Sequence, residues 1–333
     1  MTHNGELTMK APRWMVAVAS CCLMTVNAVA AEPFPAKPIR LVVPFGAGGI
    51  TDNIARLVGQ EWSGALGQTV LIENRPGAGG LLAAQAAAKA APDGYTVFMG
   101  TVGTQIVNPL IYPAGKLPYS PDSQFTPLGM VSKSPFMLAV ATGVPARDLK
   151  EFLAYARSHP DRLDYGSAGS ASAPHMSMEL LKLLSGTKIN HVPYKSGAEA
   201  VNAAIGGHVA AVIDAVPVVM PQVKAGKLRA LAIANGTRST AAPTVPTSQE
   251  AGLPSFETSS WNALYVPAGT PADVVEKLSS TLRTTLARPG LRGRLAAQGS
   301  EALAGTQQEY AAMMAAEKKK WAAVVDAAKI KAE

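Results

Sequence analysis

Short apolar runs alternate with helix-like segments over most of the chain, and this alternation limits the folds that it can adopt. Ile39–Val43 is a predicted strand, and the predicted helix Thr51–Gly64 follows it. Thr69–Glu73, Leu81–Ala91 and Tyr95–Met99 then repeat the order strand, helix, strand. This rhythm predicts a parallel sheet with helices on both of its faces, which is an α/β fold.

A second series of the same kind follows a predicted pair of strands, Thr126–Val131 and Phe136–Ala141. Further strands alternate with helices between residues 163 and 234, and a stretch rich in Pro and Thr covers 243–258. The strand and helices that come after this stretch must pack somewhere. If they return to the first series, the chain crosses twice between two α/β units.

Two lobes that are joined by two chain crossings form a hinged cleft. We therefore expect one lobe made of residues 35–132 plus 255–333 and a second lobe made of residues 133–254. A ligand held between such lobes contacts loops from both.

The first thirty residues carry the pattern of an export signal. Lys10 and Arg13 precede the apolar stretch Trp14–Val26, and an Ala-x-Ala site covers 28–30. This order of basic, apolar and small residues is typical of a secretory signal peptide. The apolar stretch is shorter than the roughly 20 residues that a membrane span needs. We assign residues 1–31 to a signal peptide and expect a periplasmic mature protein.

Both cysteines of the chain, Cys21 and Cys22, fall inside this predicted signal. The mature protein would then contain no disulfide, no cysteine nucleophile and no thiolate metal site. One alternative stays open, cleavage before Cys21 as in a lipoprotein, although only about seven apolar residues would precede that cut.

The composition excludes several classes of function. With 48% hydrophobic and 16% charged residues, the chain suits a globular protein rather than a disordered one. A net charge of +7 favours small anions as ligands. Basic clusters interleaved with aromatic residues are absent, and the one basic run, 318–320, lies on a predicted amphipathic helix. We therefore expect no nucleic-acid partner.

Two glycine-rich turns follow short apolar strands. The first glycine loop (Phe45–Gly49) lies in LVVPFGAGGITD, and the second glycine loop is Gly77–Gly80. The first loop lacks the Lys and Ser or Thr of a phosphate P-loop and the third glycine of a dinucleotide fingerprint. It exposes N–H groups at a helix N-terminus and so suits a small carboxylate, with a plain turn as the alternative. Asp52 is interpreted as a helix cap that could also receive a ligand amine, and the second loop as structural.

A third segment, the serine loop YGSAGSASAPH at 165–175, also joins a predicted strand to a helix. Its hydroxyl and N–H donors follow the carboxyl end of a strand, where open α/β sheets bind ligands, so it can face the first glycine loop across a cleft. Asp214 follows another predicted strand, and like Asp52 it could receive an amine of the ligand. Because the hydrogen-bond donors of this loop come without an obvious nucleophile–base pair, they favour ligand binding over catalysis.

The chain lacks the common catalytic and metal-binding patterns. It contains no G-x-S-x-G sequence, and His175 beside Ser170 or Ser172 is more typical of a packing residue than of a base. The four histidines from His159 onward are 16 or 17 residues apart and form no metal-ligand pattern. We predict that the protein is not an enzyme and binds no metal or cofactor.

Seven motifs occur in a fixed order along the chain. They are PAKPIRLVVPFGAGGITDNIAR, IENRPGAGG, APDGYTVFMG, HVPYKSGAEAVNAAIGGHV, KAGKLRALAIAN, PTVPTSQEAGLP and W-x-A-L-x-V-P-A-G-T-P. This series resembles the Bug family, the extracytoplasmic substrate-binding proteins of tripartite tricarboxylate transporters. The resemblance extends from Pro35 to Lys331.

The resemblance implies a type II periplasmic-binding-protein fold, with two α/β lobes, a hinge and a central cleft. It also implies a small carboxylate ligand (a di- or tricarboxylate, an amino acid or an aromatic acid) that passes to a membrane permease. Two other functions stay open, a ligand sensor that feeds a membrane receptor and a secreted hydrolase of a carboxylated substrate. The ligand-binding residues expected from the motifs and the resemblance together are Phe45, Gly46, Ala47, Gly48, Gly49, Ile50, Asp52, Thr101, Thr104, Ser167, Gly169, Ser170, Ser172, His175 and Asp214.

Overall fold

The computed structural model describes residues 1–3, 5 and 33–332. The predicted cleavage site, both cysteines and almost all of the predicted signal peptide lie outside the described residues. Within the described part, no helix is both long and apolar enough to cross a bilayer.

One mixed sheet contains every strand between residues 33 and 332. Its order is β2-β1-β3-β9-β4-β7-β5-β6, and β8 and β10 each pair with β4. The strands are β1 Ile39–Val43, β2 Val70–Asn74, β3 Thr96–Gly100, β4 Phe125–Ala141, β5 Asp164–Ser167, β6 Asn190–Pro193, β7 Ala211–Ala215, β8 Leu228–Ile233, β9 Ser259–Pro267 and β10 Glu301–Ala302.

Helices connect these strands and cover the sheet. A 3-10 turn at Ala78–Gly80 precedes α2, and a π-helix at Gly103–Val107 follows β3. The helices are α1 Ile50–Leu66, α2 Leu81–Ala88, α3 Asn108–Ile111, α4 Pro121–Gln124, α5 Leu149–Ser158, α6 Ala173–Ser185, α7 Gly197–Ile205, α8 Val216–Lys224, α9 Ala272–Ala287, α10 Pro289–Ala297 and α11 Gln307–Ala328.

The two predicted strand–helix series are both present as parallel strands. In the first strand group (β1, β2 and β3), β1 pairs in parallel with β2 and β3. In the second strand group (β5, β6, β7 and β8), β5 pairs in parallel with β6 and β7. The sheet as a whole is mixed rather than parallel, because β4 and β9 run antiparallel to their neighbours.

The predicted pair of strands between residues 126 and 141 is wrong, since these residues form the single strand β4. The ladder with β9 continues through Ser132–Pro135, where the sequence suggested a break. β4 pairs with β9 in its first half and with β7 and β8 in its second half. One strand therefore joins the two strand groups.

Local capping starts several of the helices. Asp148 Oδ1 accepts the Glu151 N–H at 2.8 Å, and Ser196 Oγ accepts the Glu199 N–H at 3.2 Å. Thr306 forms a full capping box at the start of α11. The apolar face of α11 packs into the core, with Trp321 completely buried.

The C-terminal helices α9 and α10 return to the first strand group. Trp62 Nε1 on α1 donates to Thr281 Oγ1 on α9 at 3.0 Å, and Arg288 pairs with Glu61 of α1 at 3.2 Å. Helix α11 packs against both α6 and the π-helix. The chain thus ends beside elements from both strand groups.

Candidate functional site

The first glycine loop is held in shape by Asp52 on the first turn of α1. Gly48 has a left-handed φ of 82°, and its N–H donates to Asp52 Oδ2 at 3.0 Å. Asn74 Nδ2 donates to Asp52 Oδ1 at 2.9 Å, and Arg56 lies 2.9 Å from the same oxygen. Both carboxylate oxygens of Asp52 are therefore occupied by donors from its own surroundings.

The charge on Asp52 is stabilised despite its burial. Burial alone would raise the pKa of this carboxyl, but hydrogen bonds from Arg56, Gly48 N–H and Asn74 together lower it below its usual value. Asp52 is thus ionised at neutral pH and fixes the loop that ends at Gly49, the N-cap of α1.

The serine loop is held by its own side chains. Ser167 Oγ accepts the Gly169 N–H at 3.1 Å, and Ser172 Oγ accepts the His175 N–H as the N-cap of α6. Ala171 N–H donates to His175 Nδ1 at 3.1 Å. The hydroxyls of Ser167 and Ser172 and the ring of His175 therefore shape the loop from within.

His175 is neutral in the folded protein. Burial, with a smaller contribution from the Lys182 charge, lowers the pKa of this imidazole to about 4. The ring stacks on His191 with centroids 4.1 Å apart. Ser167 Oγ lies 2.6 Å from His191 Nε2, the spacing of a nucleophile and a base, but Ser167 is completely buried and lines neither cavity described below.

A sealed cavity of about 20 Å³ lies where these segments meet. It is bounded by the start of α1, the residue after β3, the serine loop with the start of α6, the start of α7, the end of β7 and the start of β9. A volume of this size holds about one water molecule, and every residue that lines it is buried. The lining residues are Phe45, Gly49, Ile50, Thr51, Thr101, Ala168, Ala173, Pro174, Gly197, Asp214 and Ser260.

Only some of the predicted site residues line this sealed cavity. Five do so, namely Phe45, Gly49, Ile50, Thr101 and Asp214. Gly169 and Ser170 line a larger neighbouring cavity, and Thr104 holds the Thr101 N–H at 3.0 Å. The remaining predicted residues line neither this cavity nor the larger one; these are Gly46, Ala47, Gly48, Asp52, Ser167, Ser172 and His175.

The start of α7 belongs to the site, which the sequence did not reveal. Gly46 N–H donates to Lys195 O at 3.0 Å, so the first glycine loop docks on the residues before α7. A Cβ on Gly197 would overlap Asp214 Oδ2, which explains why a glycine opens this helix. The Ser196 cap was a visible signal for the helix but not for its position in the cleft. Ser260 on β9 was also missed.

Among residues 33–332, Asp214 is the one ionisable side chain that lines the sealed cavity. It is 1% exposed, and the Ala215 N–H donates to its Oδ1 at 2.7 Å. Burial raises the pKa of Asp214 to about 7, against the opposing effect of this hydrogen bond. No lysine or arginine is among the lining residues.

A larger cavity of about 500 Å³ opens beside the sealed one, with Phe45 and Ala168 in the walls of both. The second glycine loop lines it, opposite the serine loop. Two hydroxyls in this region, Thr101 Oγ1 and Ser170 Oγ, are buried without a hydrogen-bond partner. A buried hydroxyl without a partner costs free energy, so a ligand or water molecule that bonded to it would stabilise the protein.

The arrangement suits an anion held by neutral donors. Helices α1, α6 and α7 all begin at the sealed cavity, and the first N–H groups of a helix have no partner within it. Their dipoles add positive potential at this point. Within residues 33–332 no group of three or more His, Cys, Asp or Glu side chains could hold a metal ion.

Residues 54–330 match the model of the family described as the tripartite tricarboxylate transporter family receptor. The chain belongs to this family. Among the relatives of this receptor is the protein BugT of Bordetella pertussis, 35% identical over 89% of the chain and 91% of BugT. The expected Bug resemblance is thereby confirmed.

Solved structures agree with the sequence relatives of the receptor. An R. palustris protein with adipate has a TM-score of 0.85 and 35% identity, over 90% of the receptor and 99% of that protein. MatC from Rhodopseudomonas palustris with bound malate has a TM-score of 0.81 and 37% identity, over 88% of the receptor and 100% of MatC. The type II periplasmic-binding-protein fold, with two α/β lobes and a cleft, is confirmed.

Proposed function

We propose that this receptor is a periplasmic solute-binding protein that captures a small carboxylate and delivers it to the permease of a tripartite tricarboxylate transporter. The observation that carries the proposal is the meeting of three helix N-termini at one sealed cavity. Adipate and malate in two related structures support a carboxylate as the ligand. Di- and tricarboxylates, amino acids and aromatic acids are all within the proposed class.

The two lobes close on this ligand from opposite sides. Residues 35–132 plus 255–333 form one lobe and residues 133–254 the other, and β4 is the strand that runs from the first into the second. In support, the first glycine loop and the serine loop belong to different strand groups and meet at the cavity.

One ligand carboxylate accepts hydrogen bonds from the first N–H groups of α1 and from the hydroxyl of Thr101, directly or through water. Hydrogen bonds to a charged group contribute about 1.5–3 kcal/mol each, so a few of them reach the roughly 8 kcal/mol of a micromolar site. Because no described lysine or arginine lines the sealed cavity, opening of the lobes releases this carboxylate readily. In this role the protein performs no chemical step on the acid.

A thermal-shift screen tests the proposal. The panel contains di- and tricarboxylates, amino acids and aromatic acids, and each acid is paired with its neutral amide as the control. An acid at ~100 times its dissociation constant adds about 2.7 kcal/mol of stability, whereas its amide should add none. If no acid raises the melting temperature, carboxylate capture is refuted. NMR of a bound acid after long incubation should show it unchanged, and product formation would support a hydrolase.

A further inference from the structure

The second glycine loop makes a main-chain contact with the serine loop across the cleft. A Cβ on Gly79 would overlap the carbonyl oxygen of Ser170, and it would lie 3.2 Å from the carbonyl carbon and 3.5 Å from Ala171 Cβ. A Cβ on Gly103, at the start of the π-helix, would lie 2.9 Å from Ala171 O. Two positions without side chains therefore face adjacent carbonyl groups of the serine loop, Gly79 that of Ser170 and Gly103 that of Ala171.

Each of the two loops is held rigid on its own side of the cleft. Gly80 N–H donates to Gly77 O at 3.0 Å, and a Cβ on Gly80 would press against Thr104 and Pro44, so the second glycine loop is packed onto its own strand group. On the other side, Ser172 N–H donates to Gly169 O at 3.1 Å. Neither loop can move out of the way of the other at low cost.

The contact between the loops is one that can be made and broken. In residues 33–332 no hydrogen bond joins the second glycine loop to the serine loop. The Gly79 C–H that a Cβ would replace points at the Ser170 oxygen, which makes at most a weak C–H···O contact. Surfaces that touch only in this way separate without leaving buried N–H groups unpaired.

We propose that Gly79 is the positioning residue for closure, because only a residue without a side chain lets the serine loop reach its place over the bound ligand. The inference rests on the proposed function. A side chain at position 79 would push the Ser170 carbonyl away from the second glycine loop. Since Ala168, Ala173 and Pro174 line the sealed cavity, the same displacement would open its wall.

The Gly79→Ala variant tests the proposal, with Gly67→Ala as its matched control. Gly79 and Gly67 share a left-handed φ, 59° and 71°, so both variants carry the same kind of backbone strain. A Cβ on Gly67 meets nothing within 4 Å. Calorimetry measures the dissociation constant for an acid that the parent binds, and small-angle scattering measures whether saturating acid reduces the radius of gyration.

We expect at least tenfold weaker binding and no compaction for Gly79→Ala, and a dissociation constant within twofold of the parent for Gly67→Ala. If Gly79→Ala does not fold, Gly103→Ala gives a milder clash, with the adjacent carbonyl of Ala171 and without left-handed strain. At least threefold weaker binding is then expected. Parent-like binding and compaction in the folded variant would overturn the proposal. A parent protein that binds no acid would instead overturn the proposed function, and this inference with it.

Discussion

Replacement of Asp214 by Asn should stabilise the protein at high pH and have little effect at low pH. Asp214 is 1% exposed, and burial raises its pKa from the ordinary 3.8 to about 7. Between these two values the folded state holds a proton that the unfolded chain has released, so stability falls as the pH rises. At 1.36 kcal/mol per pH unit, the ionised carboxyl destabilises the folded state by about 4 kcal/mol above pH 7.

Unfolding of the parent and the Asp214→Asn variant at pH 4.5 and pH 8 measures this effect. The difference between their free energies of unfolding should widen by roughly 3–4 kcal/mol towards pH 8, which corresponds to roughly 5–6 °C in melting temperature for a chain of this length. Asp122→Asn is the control, because this side chain is 82% exposed and should show no such widening. Parallel pH profiles for the parent and the Asp214 variant would refute the raised pKa.

Three further predictions concern the ligand. Binding of an acid should weaken by up to about tenfold per pH unit above pH 7, because ionised Asp214 repels the carboxylate of the ligand beside it. Calorimetry should find no such pH dependence in Asp214→Asn. Gly49→Val should weaken binding at least tenfold, about 1.4 kcal/mol, because even a Cβ at this position would lie 3.6 Å from Gly197 N, and valine adds two further methyl groups. If the variant is folded by circular dichroism and its dissociation constant is unchanged, the loop is only a turn. His175→Ala should weaken binding less than Gly49→Val does, because this ring accepts the Ala171 N–H and lines neither cavity. The loss of affinity should be equal at pH 6 and pH 8, because the pKa of His175 is about 4. A loss of affinity that differs between these pH values would contradict the neutral state of His175.

The parts of the fold that depend on neighbouring residues could be predicted from the sequence. Strands and helices follow from the spacing of apolar residues, and the caps at Asp148 and Thr306 depend on partners three residues away. The first glycine loop is expected at the ligand because its strand-to-helix turn exposes N–H groups at a helix N-terminus, and Phe45 and Gly49 of this loop line the sealed cavity. The break expected near Ser132–Pro135 was wrong because pairing with a distant strand, β9, continues the strand there.

The parts of the site that depend on distant residues could not be predicted in this way. Gly79 reads as an ordinary turn residue, and only its approach to Ser170, 91 positions later, gives it a place in the cleft. Gly197 has the same relation to Asp214. By contrast, the inward roles of Ser167 and Ser172 follow from local hydrogen bonding, and a serine two residues before Pro174 is a recognisable N-cap.

The order in which the strands pair decides when each strand group can fold. β4, β5, β6, β7 and β8 lie between residues 125 and 233, so the second group pairs within a continuous stretch of chain. The first group needs β9 beside β3 and α9 against α1, and the Trp62–Thr281 hydrogen bond alone spans 219 positions. Long-range contacts of this kind form late, because the loop must close before they contribute. A chain that stops before Ser259 would therefore keep its second group but leave β3, an entirely buried strand, as an open apolar edge that invites aggregation.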